Sequence, residues 1–306
     1  MPDPFSDVLR LIQLKSCVYF QRDFWSPWAM QLGGNNVAQF HAVLRGQCVV
    51  KTEDKTYHGA PGDIFLFPKY EPHIIADSEN SKAVAGQEYM ASLNGNTPLF
   101  SSGDMSTQLL CGHYEYRNDL NHPMIDELPT VIHLKSFESY APEMMSNVMP
   151  ALTREMGAVR PGSSAVIEKL AEILLVQIIR AHVEAENQPT GFLAGLCDSR
   201  LAKAVQLVHN APDEKITLED MAAAAGMSRS AFALQFKTTV GMAPIAYLIL
   251  WRMCQAYELL QQSDLSVSQV AIRVGYDSEI AFSRAFKRQF GVSPGRVRKQ
   301  EHARVA

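Results

Sequence analysis

The sequence lacks the features that mark membrane, secreted and zinc-ribbon proteins. No apolar run reaches the ~18 residues that a membrane-spanning helix needs. The N-terminal segment MPDPFSDVLRLIQLK carries Asp3 and Asp7 where a secretory signal would carry positive charge. No two cysteines have the C-x-x-C spacing of zinc ribbons and thioredoxin-like proteins. We therefore expect a cytoplasmic protein that makes no contact with a membrane.

Cysteine is scarce, with five in 306 residues. They are widely spaced and odd in number, so no disulfide framework is indicated. In a reducing compartment the default is a set of free thiols, mostly small, buried and apolar in behaviour. We expect a structural role of this kind for Cys48, Cys197 and Cys254. The two other cysteines are Cys17 and Cys111.

Charge is divided unequally along the chain. The net charge is −4, yet the segment from Asp198 to the end holds 14 Lys/Arg and 10 Asp/Glu, a net of +4. The first 197 residues therefore hold 14 basic and 22 acidic residues, a net of −8. This division indicates a C-terminal part that meets a polyanion. A solvated charged face is the alternative interpretation.

The chain divides into three regions. Residues 1–135 contain short apolar runs broken by Gly, Pro and Asn, among them FHAVLRG, DIFLFP and TQLLCGHYEY, which are typical of a β-sandwich or small barrel. Residues 136–190 show helical periodicity, with a predicted apolar stripe of Val166, Leu170, Ile173, Leu174 and Ile178. That stripe fits either an intrachain core helix or a dimer contact. Residues 191–306 are predicted to be all helix.

The helical region contains an internal repeat. Residues 221–244 read MAAAAGMSRSAFALQFKTTVGMAP, and residues 270–294 read VAIRVGYDSEIAFSRAFKRQFGVSP. Each copy has a small residue, a glycine four residues later, a serine cap and then two phenylalanines four residues apart. The pattern predicts two helix-turn-helix units, because the turn requires positive φ and both phenylalanines share one buried face.

The opposite face of each second helix is then free to enter a DNA major groove. The predicted DNA-contacting residues are Arg229, Ser230, Ala233, Leu234 and Lys237 in the first copy, and Glu279, Ile280, Ser283, Arg284, Lys287 and Arg288 in the second. Between the copies, an apolar helix is predicted from Pro244 to Ser263. If this helix is rigid, the two units would enter adjacent major grooves about 34 Å apart.

On these residues, the segment from 198 to 306 resembles the DNA-binding domain of the AraC/XylS family of bacterial transcription regulators. SEIAFSRAFKRQFGVSPGRVR carries the resemblance most specifically, and SRSAFALQFKTTVGMAP matches its first half. It implies base reading by Glu279, Ile280, Ser283 and Arg284. In the first motif it implies Ser230, Ala233 and Leu234, but family members usually carry a polar residue where Leu234 stands. That helix would therefore contribute shape, phosphate or thymine-methyl contacts. Double-stranded promoter DNA, RNA polymerase and a second copy of the chain are the expected partners, and activation is the expected effect.

The N-terminal region resembles the cupins, which are double-stranded β-barrels. GAPGDIFLFPKYEPHII resembles their second sequence segment, and FHAVLRG resembles the strand that carries their first. We therefore expect an α+β protein: a cupin-like barrel and a helical linker, followed by an all-α double helix-turn-helix domain. A cupin metalloenzyme with an accessory DNA-binding module is the alternative. It is disfavoured because Phe40-His41-Ala42-Val43 lacks the His-x-His of metal-dependent cupins. His41, His73 and His113 could still share one cavity.

The same N-terminal half resembles regulators that include sensors of reactive chlorine species. That resemblance implies that Cys17 and Cys111 lie close together and are joined by oxidation. Alternatively, Cys17, Cys111, His41 and His73 would form a zinc site, because thiolate and imidazole both suit zinc. The remaining interpretation is two buried, unreactive thiols.

Overall fold

The computed structural model describes residues 3–34, 37–93, 95, 98–104, 106–116, 122–136, 147–158, 160–185 and 191–298. The chain forms two compact units. The barrel unit comprises Leu14–Tyr116 and Leu128–Asn187, and the helical unit comprises Met1–Gln13, Arg117–Glu127 and Gln188–Ala306. The first segment of the chain therefore groups with the C-terminal helices. The three domains drawn from the sequence remain a prediction.

The barrel unit contains two five-stranded sheets. Their strands are β1 Lys15–Trp25, β2 Ala29–Leu32, β3 Ala38–Arg45, β4 Cys48–Lys51, β5 Thr56–Gly59, β6 Ile64–Phe67, β7 His73–Ala76, β8 Val84–Ala85, β9 Ser106–Glu115 and β10 Ile132–Leu134. One sheet has the order β1-β9-β3-β6-β10 and the other β5-β4-β7-β2-β8. All pairings are antiparallel except that between β2 and β8. The predicted β-rich N-terminal part is confirmed.

Aromatic side chains fill the core of the barrel unit. Phe24, Phe65 and Phe67 are 0% exposed, and Trp28 is 1% exposed. All four residues of β6 are buried, which explains why its sequence is a continuous apolar run instead of an alternating one. Each such side chain contributes roughly 1.5–3 kcal/mol through its burial.

In the described part of the barrel unit, the helices are α2 Gly86–Ser92, α4 Met149–Met156 and α5 Ser163–Ala185. The long helix α5 is attached to the sheet by two hydrogen bonds. The Ser16 hydroxyl donates to the Glu168 carbonyl at 2.8 Å, and the Tyr114 hydroxyl donates to the Ala171 carbonyl at 2.9 Å.

The apolar stripe predicted for α5 is partly wrong. Leu174 and Ile178 are buried, together with Ala171, Leu175 and Ile179. Val166 and Ile173 are instead 43% and 45% exposed. The buried face is rotated relative to the predicted one. The helix has apolar residues on more than one side, and only one of these sides packs against the sheet.

The helical unit is built from short helices around one long helix. The helices are α1 Pro4–Leu11, α3 Pro123–Asp126, α6 Phe192–Cys197, α7 Ser199–Asn210, α8 Leu218–Ala224, α9 Arg229–Val240, α10 Pro244–Gln262, α11 Val267–Arg273 and α12 Glu279–Phe290. Helix α10 packs against α7, α8, α9, α11 and α12. Its 19 residues correspond to a length of about 28 Å. The predicted helix between the two repeats is therefore present.

The two repeats fold through the same local interactions. Ser228 caps α9 through the Ala231 N–H, and Ser278 caps α12 through the Ala281 N–H, both at 3.4 Å. The turns close with matching bonds of 2.9 Å, from the Met227 and Tyr276 N–H groups to the carbonyls of Ala222 and Ala271.

Gly226 and Gly275 adopt φ of 65° and 79° in these turns, which favours glycine. The four repeat phenylalanines are 0% exposed. These are Phe232, Phe236, Phe282 and Phe286. Both predicted helix-turn-helix units are formed.

Cys254 in α10 and Cys48 in β4 are buried, as expected of structural thiols, whereas Cys197 is exposed. Within the described residues, no single helix is long and apolar enough to cross a membrane. One bent pair, α9 with α10, reaches the required length and hydropathy when both helices are taken together.

Candidate functional site

The second helix of each repeat exposes the face predicted to contact DNA. In α9, Arg229, Ser230, Leu234 and Lys237 are exposed and Ala233 is half-buried. The opposite face packs on α8 and α10.

Helix α12 repeats this pattern position by position. Ser283 is half-buried, and the other predicted contact residues are exposed: Glu279, Ile280, Arg284, Lys287 and Arg288. Five of the six line one shallow groove of about 330 Å³, namely Glu279, Ile280, Ser283, Arg284 and Lys287. Ser293, which was not predicted, completes its lining. The structure thus brings the predicted second-motif residues together.

The two exposed faces differ in charge and polarity. Arg229 of α9 forms an ion pair with Glu219 of α8 at 2.8 Å. In the described part of the chain, Arg284 and Lys287 form no such ion pair, so their charges remain available to a ligand. Leu234 and Ile280 are 70% and 66% exposed, so the face of each helix also presents an apolar side chain.

The barrel unit contains a half-open cavity of about 610 Å³. Aliphatic and aromatic side chains such as Phe20, Met30, Leu32 and Tyr89 dominate its lining. None of the 15 lining residues is Asp, Glu, Lys or Arg. A cavity of this size suits a small-molecule ligand.

A row of buried polar groups lies beside this cavity. His41 Nδ1 is 3.1 Å from Cys111 Sγ, and His41 Nε2 is 2.9 Å from His73 Nε2. His73 Nδ1 lies 2.8 Å from the Glu71 carbonyl, to which it must donate because a carbonyl only accepts. His73 Nε2 therefore accepts from His41, and His41 Nδ1 accepts from the Cys111 thiol.

Burial keeps every member of this row neutral. It lowers the pKa of His41 well below its ordinary value, with His73 adding to the effect, and it lowers the pKa of His73 to about 4. It also raises the pKa of the Cys111 thiol well above its ordinary value. These directions agree with a chain of neutral donors and acceptors.

The four-residue zinc site is not assembled in this structure. Both ring nitrogens of His41 are engaged, with Cys111 and His73 on opposite sides of the ring. Among the described residues, no group of three or more His, Cys, Asp or Glu side chains is arranged to hold a metal ion. His113 does not share the cavity with His41, because it lines a separate hollow with Cys17 and Glu115.

Cys17 and Cys111 lie on neighbouring strands as free thiols. In the β1–β9 register Cys17 faces His113, and Cys111 faces Phe20. Cys17 is exposed and Cys111 is buried. Burial raises the pKa of Cys17, and Glu115 and Glu168 raise it further. The pKa values of Cys17 and Cys111 are thus both raised, whereas an activated thiol has a lowered pKa.

Gln39 is a functional candidate that was not identified from the sequence. It lines the cavity two residues before His41, on the same face of β3. A second polar residue two positions before His41, on the same face of a mostly apolar strand, is the signal that could have revealed it.

Sequence comparison extends across both units. Residues 3–184 match the cupin family, and residues 221–300 match a helix-turn-helix domain family. A Streptomyces lividans protein described as an AraC-like transcription regulator is 31% identical over 300 residues, covering 97% of this chain and 98% of that protein. The chain belongs to the AraC family. As an AraC-family protein it is a DNA-binding transcriptional regulator, and the cupin-enzyme alternative is not favoured.

Two further proteins are similar to this AraC-family chain. The Escherichia coli K12 protein RclR, an RCS-specific transcriptional activator, is 24% identical over 290 residues, covering 94% of this chain and 92% of RclR. The DNA-binding domain of AdpA, solved with its target DNA, shares 40% identity, with a TM-score of 0.33. That match covers 34% of this chain and 93% of the AdpA domain.

Proposed function

We propose that this AraC-family regulator reads promoter DNA through the exposed faces of α9 and α12, and that a ligand in the barrel cavity controls it. The observation that carries the first part is the repeated exposure pattern of the two helices. Both bury the repeat phenylalanines and leave their opposite faces open, at equivalent positions. Such a helix fits a major groove.

The two helices read DNA differently. On α12, Arg284 makes the bidentate contact to guanine, Lys287 and Arg288 neutralise phosphates, and Ile280 packs against a base edge. On α9, Leu234 provides an apolar contact to a thymine methyl, while Lys237 contacts phosphate.

The regulator acts as a homodimer and as an activator that recruits RNA polymerase. Support for the dimer comes from Val166 and Ile173, which lie seven residues apart on α5 and are both exposed. Residues seven apart share a face of a helix, so together they offer an apolar stripe to a second copy. Support for activation comes from RclR, which is named as an activator.

The control signal is a small molecule bound in the barrel cavity. Its volume of about 610 Å³ and its uncharged lining support this. Oxidation of Cys17 and Cys111 is the second candidate, favoured by the RCS-specific name of RclR and by the exposure of Cys17. A bond between them would require Cys111 to break its hydrogen bond to His41. Absence of a Cys17–Cys111 bond by mass spectrometry after mild hypochlorite would dismiss it.

DNA binding by α12 is tested with a promoter fragment in a mobility-shift titration at several salt concentrations. Arg284→Ala should weaken specific binding by roughly 1–3 kcal/mol and relax the preference for the site. Lys203→Ala is the matched control, because Lys203 is an exposed cation on α7, outside the predicted contact face. It should retain the preference. Equal site preference in Arg284→Ala and the unaltered protein would contradict the placement of α12.

A further inference from the structure

The barrel cavity contains one buried polar group whose hydrogen-bonding capacity is not met. Gln39 is only 5% exposed, and its Oε1 has no hydrogen-bond partner among the described residues. Gln39 also lies close enough to Tyr19, another lining residue, to oppose the rise that burial causes in the pKa of its hydroxyl. An amide oxygen buried without a donor is rare in folded proteins. A ligand that donates a hydrogen bond at this position would satisfy the amide oxygen.

The rest of the lining restricts what that ligand can be. Among the described residues that line the cavity, none is Asp, Glu, Lys or Arg, and the imidazole of His41 is neutral because it is buried. A charged ligand would lose its hydration on entry and find no counter-charge. Most of the surface that it would meet is apolar, from side chains such as Phe20, Met30 and Tyr89.

Among the amides and the thiol that line the cavity, no other group substitutes for Gln39. Gln31 and Gln87 also line the cavity, but both are exposed and can be satisfied by water. The thiol of Cys111 is engaged with His41. A hydrogen bond from a bound ligand would therefore stabilise the complex most at Gln39 Oε1, because this oxygen is buried and has no other donor.

We infer that the cavity binds an uncharged, mainly apolar molecule carrying one hydroxyl-type donor, which hydrogen-bonds to Gln39 Oε1. Phenols and long-chain alcohols have this chemistry, whereas their ethers lack the donor and carboxylates carry a charge. The inference rests on the proposed control of the regulator by a cavity ligand, and it names the class of that ligand.

The test compares matched ligands on the full-length protein by isothermal titration calorimetry. The probes are para-phenylphenol, its methyl ether and para-phenylbenzoate, with thymol and its methyl ether as a second pair. Each phenol should bind about tenfold more tightly than its ether, which corresponds to one net hydrogen bond. The benzoate should bind more weakly than the ether, because its charge is not neutralised.

Variants assign the effect to Gln39. Gln39→Met keeps the length of the side chain and removes its acceptor, so the phenol-to-ether ratio should fall to about one. Gln31→Met alters an exposed lining amide and should leave the ratio unchanged. The comparison of phenol with ether in the unaltered protein does not depend on how well Gln39→Met folds.

Several outcomes would overturn the inference: failure of both phenols to bind, equal affinity for phenol and ether, or benzoate binding as tight as phenol binding. A phenol that binds through Gln39 but alters neither promoter binding nor reporter transcription would leave the ligand class standing and refute the proposed control. The two failures are therefore distinguishable.

Discussion

Acid should destabilise the barrel unit through its buried imidazoles. The size of the stability loss can be worked out for His73. Its pKa falls from an ordinary 6.5 to about 4, mainly through burial, against a smaller opposing effect of the Glu71 carbonyl. The ring is stacked on Phe67, with centroids 3.6 Å apart. Water cannot stabilise an imidazolium there.

The direction follows from proton binding in the two states. Above the unfolded pKa, His73 is neutral whether the unit is folded or unfolded. At pH 5 the unfolded imidazole is mostly protonated and the folded one is not, so the unfolded state binds more protons and stability falls. Between pH 7 and pH 5 His73 alone accounts for a loss of about 2 kcal/mol. His41 contributes in the same direction, because its pKa is also lowered.

Urea unfolding at both pH values measures this loss, with pulsed hydrogen exchange of peptides covering residues 64–76 to report on the barrel unit alone. His73→Gln should be less stable at pH 7 but should lose about 2 kcal/mol less than the unaltered protein on acidification. His58→Gln, which removes an exposed histidine of β5, should behave like the unaltered protein. If His73→Gln and the unaltered protein lose equal stability, the neutral buried row does not exist in solution.

Three further predictions concern the helices. Leu234→Ala should weaken promoter binding by about 1 kcal/mol. Replacing operator thymines by deoxyuridine, which removes the methyl groups, should then weaken binding of the variant no further. If deoxyuridine weakens binding of the variant as much as it weakens binding of the unaltered protein, Leu234 does not contact a thymine methyl. Ile173→Glu should shift a dimer towards monomer in analytical ultracentrifugation, because it places charge on the exposed stripe of α5, and an unchanged sedimentation profile would remove that stripe from the interface. Phe286→Ala should reduce the free energy of unfolding of the helical unit by about 3–5 kcal/mol in denaturant unfolding, since Phe286 is 0% exposed. Arg288→Ala, at an exposed position of the same helix, is the control. If both variants lose the same stability, the buried position of Phe286 is contradicted.

Local patterns explain why much of the helical unit was predictable. Caps, glycine turns and a four-residue phenylalanine spacing are interactions between near neighbours in the chain. The turn of the first repeat is therefore predicted by Ser228 and Gly226. The same turn in the second repeat is predicted by Ser278 and Gly275. The strands of the barrel were predictable for a similar reason, because their apolar runs are short and are bounded by turn residues.

The faces of α5 show where periodicity stops being informative. Val166, Ile173, Leu174 and Ile178 are all apolar, so the sequence offers more than one helix face for burial. The positions of β1, α4 and β10, against which α5 packs, determine which face is covered. Val166 and Ile173 therefore remain exposed on the opposite side of the helix.

The sequence by itself determined the cupin-like and helical fold classes and the AraC-type helix-turn-helix repeat, because each depends on residues close together in the chain. Tertiary structure alone decided the chemistry of the barrel. Cys111 and His41 are 70 residues apart, and His41 and His73 are 32 apart. Their hydrogen bonds join two imidazoles and a thiol in one buried row, and the unpaired oxygen of Gln39 is found only where strands from distant segments meet at one cavity. Contacts of this kind depend on the strand register and on burial, neither of which a linear pattern contains.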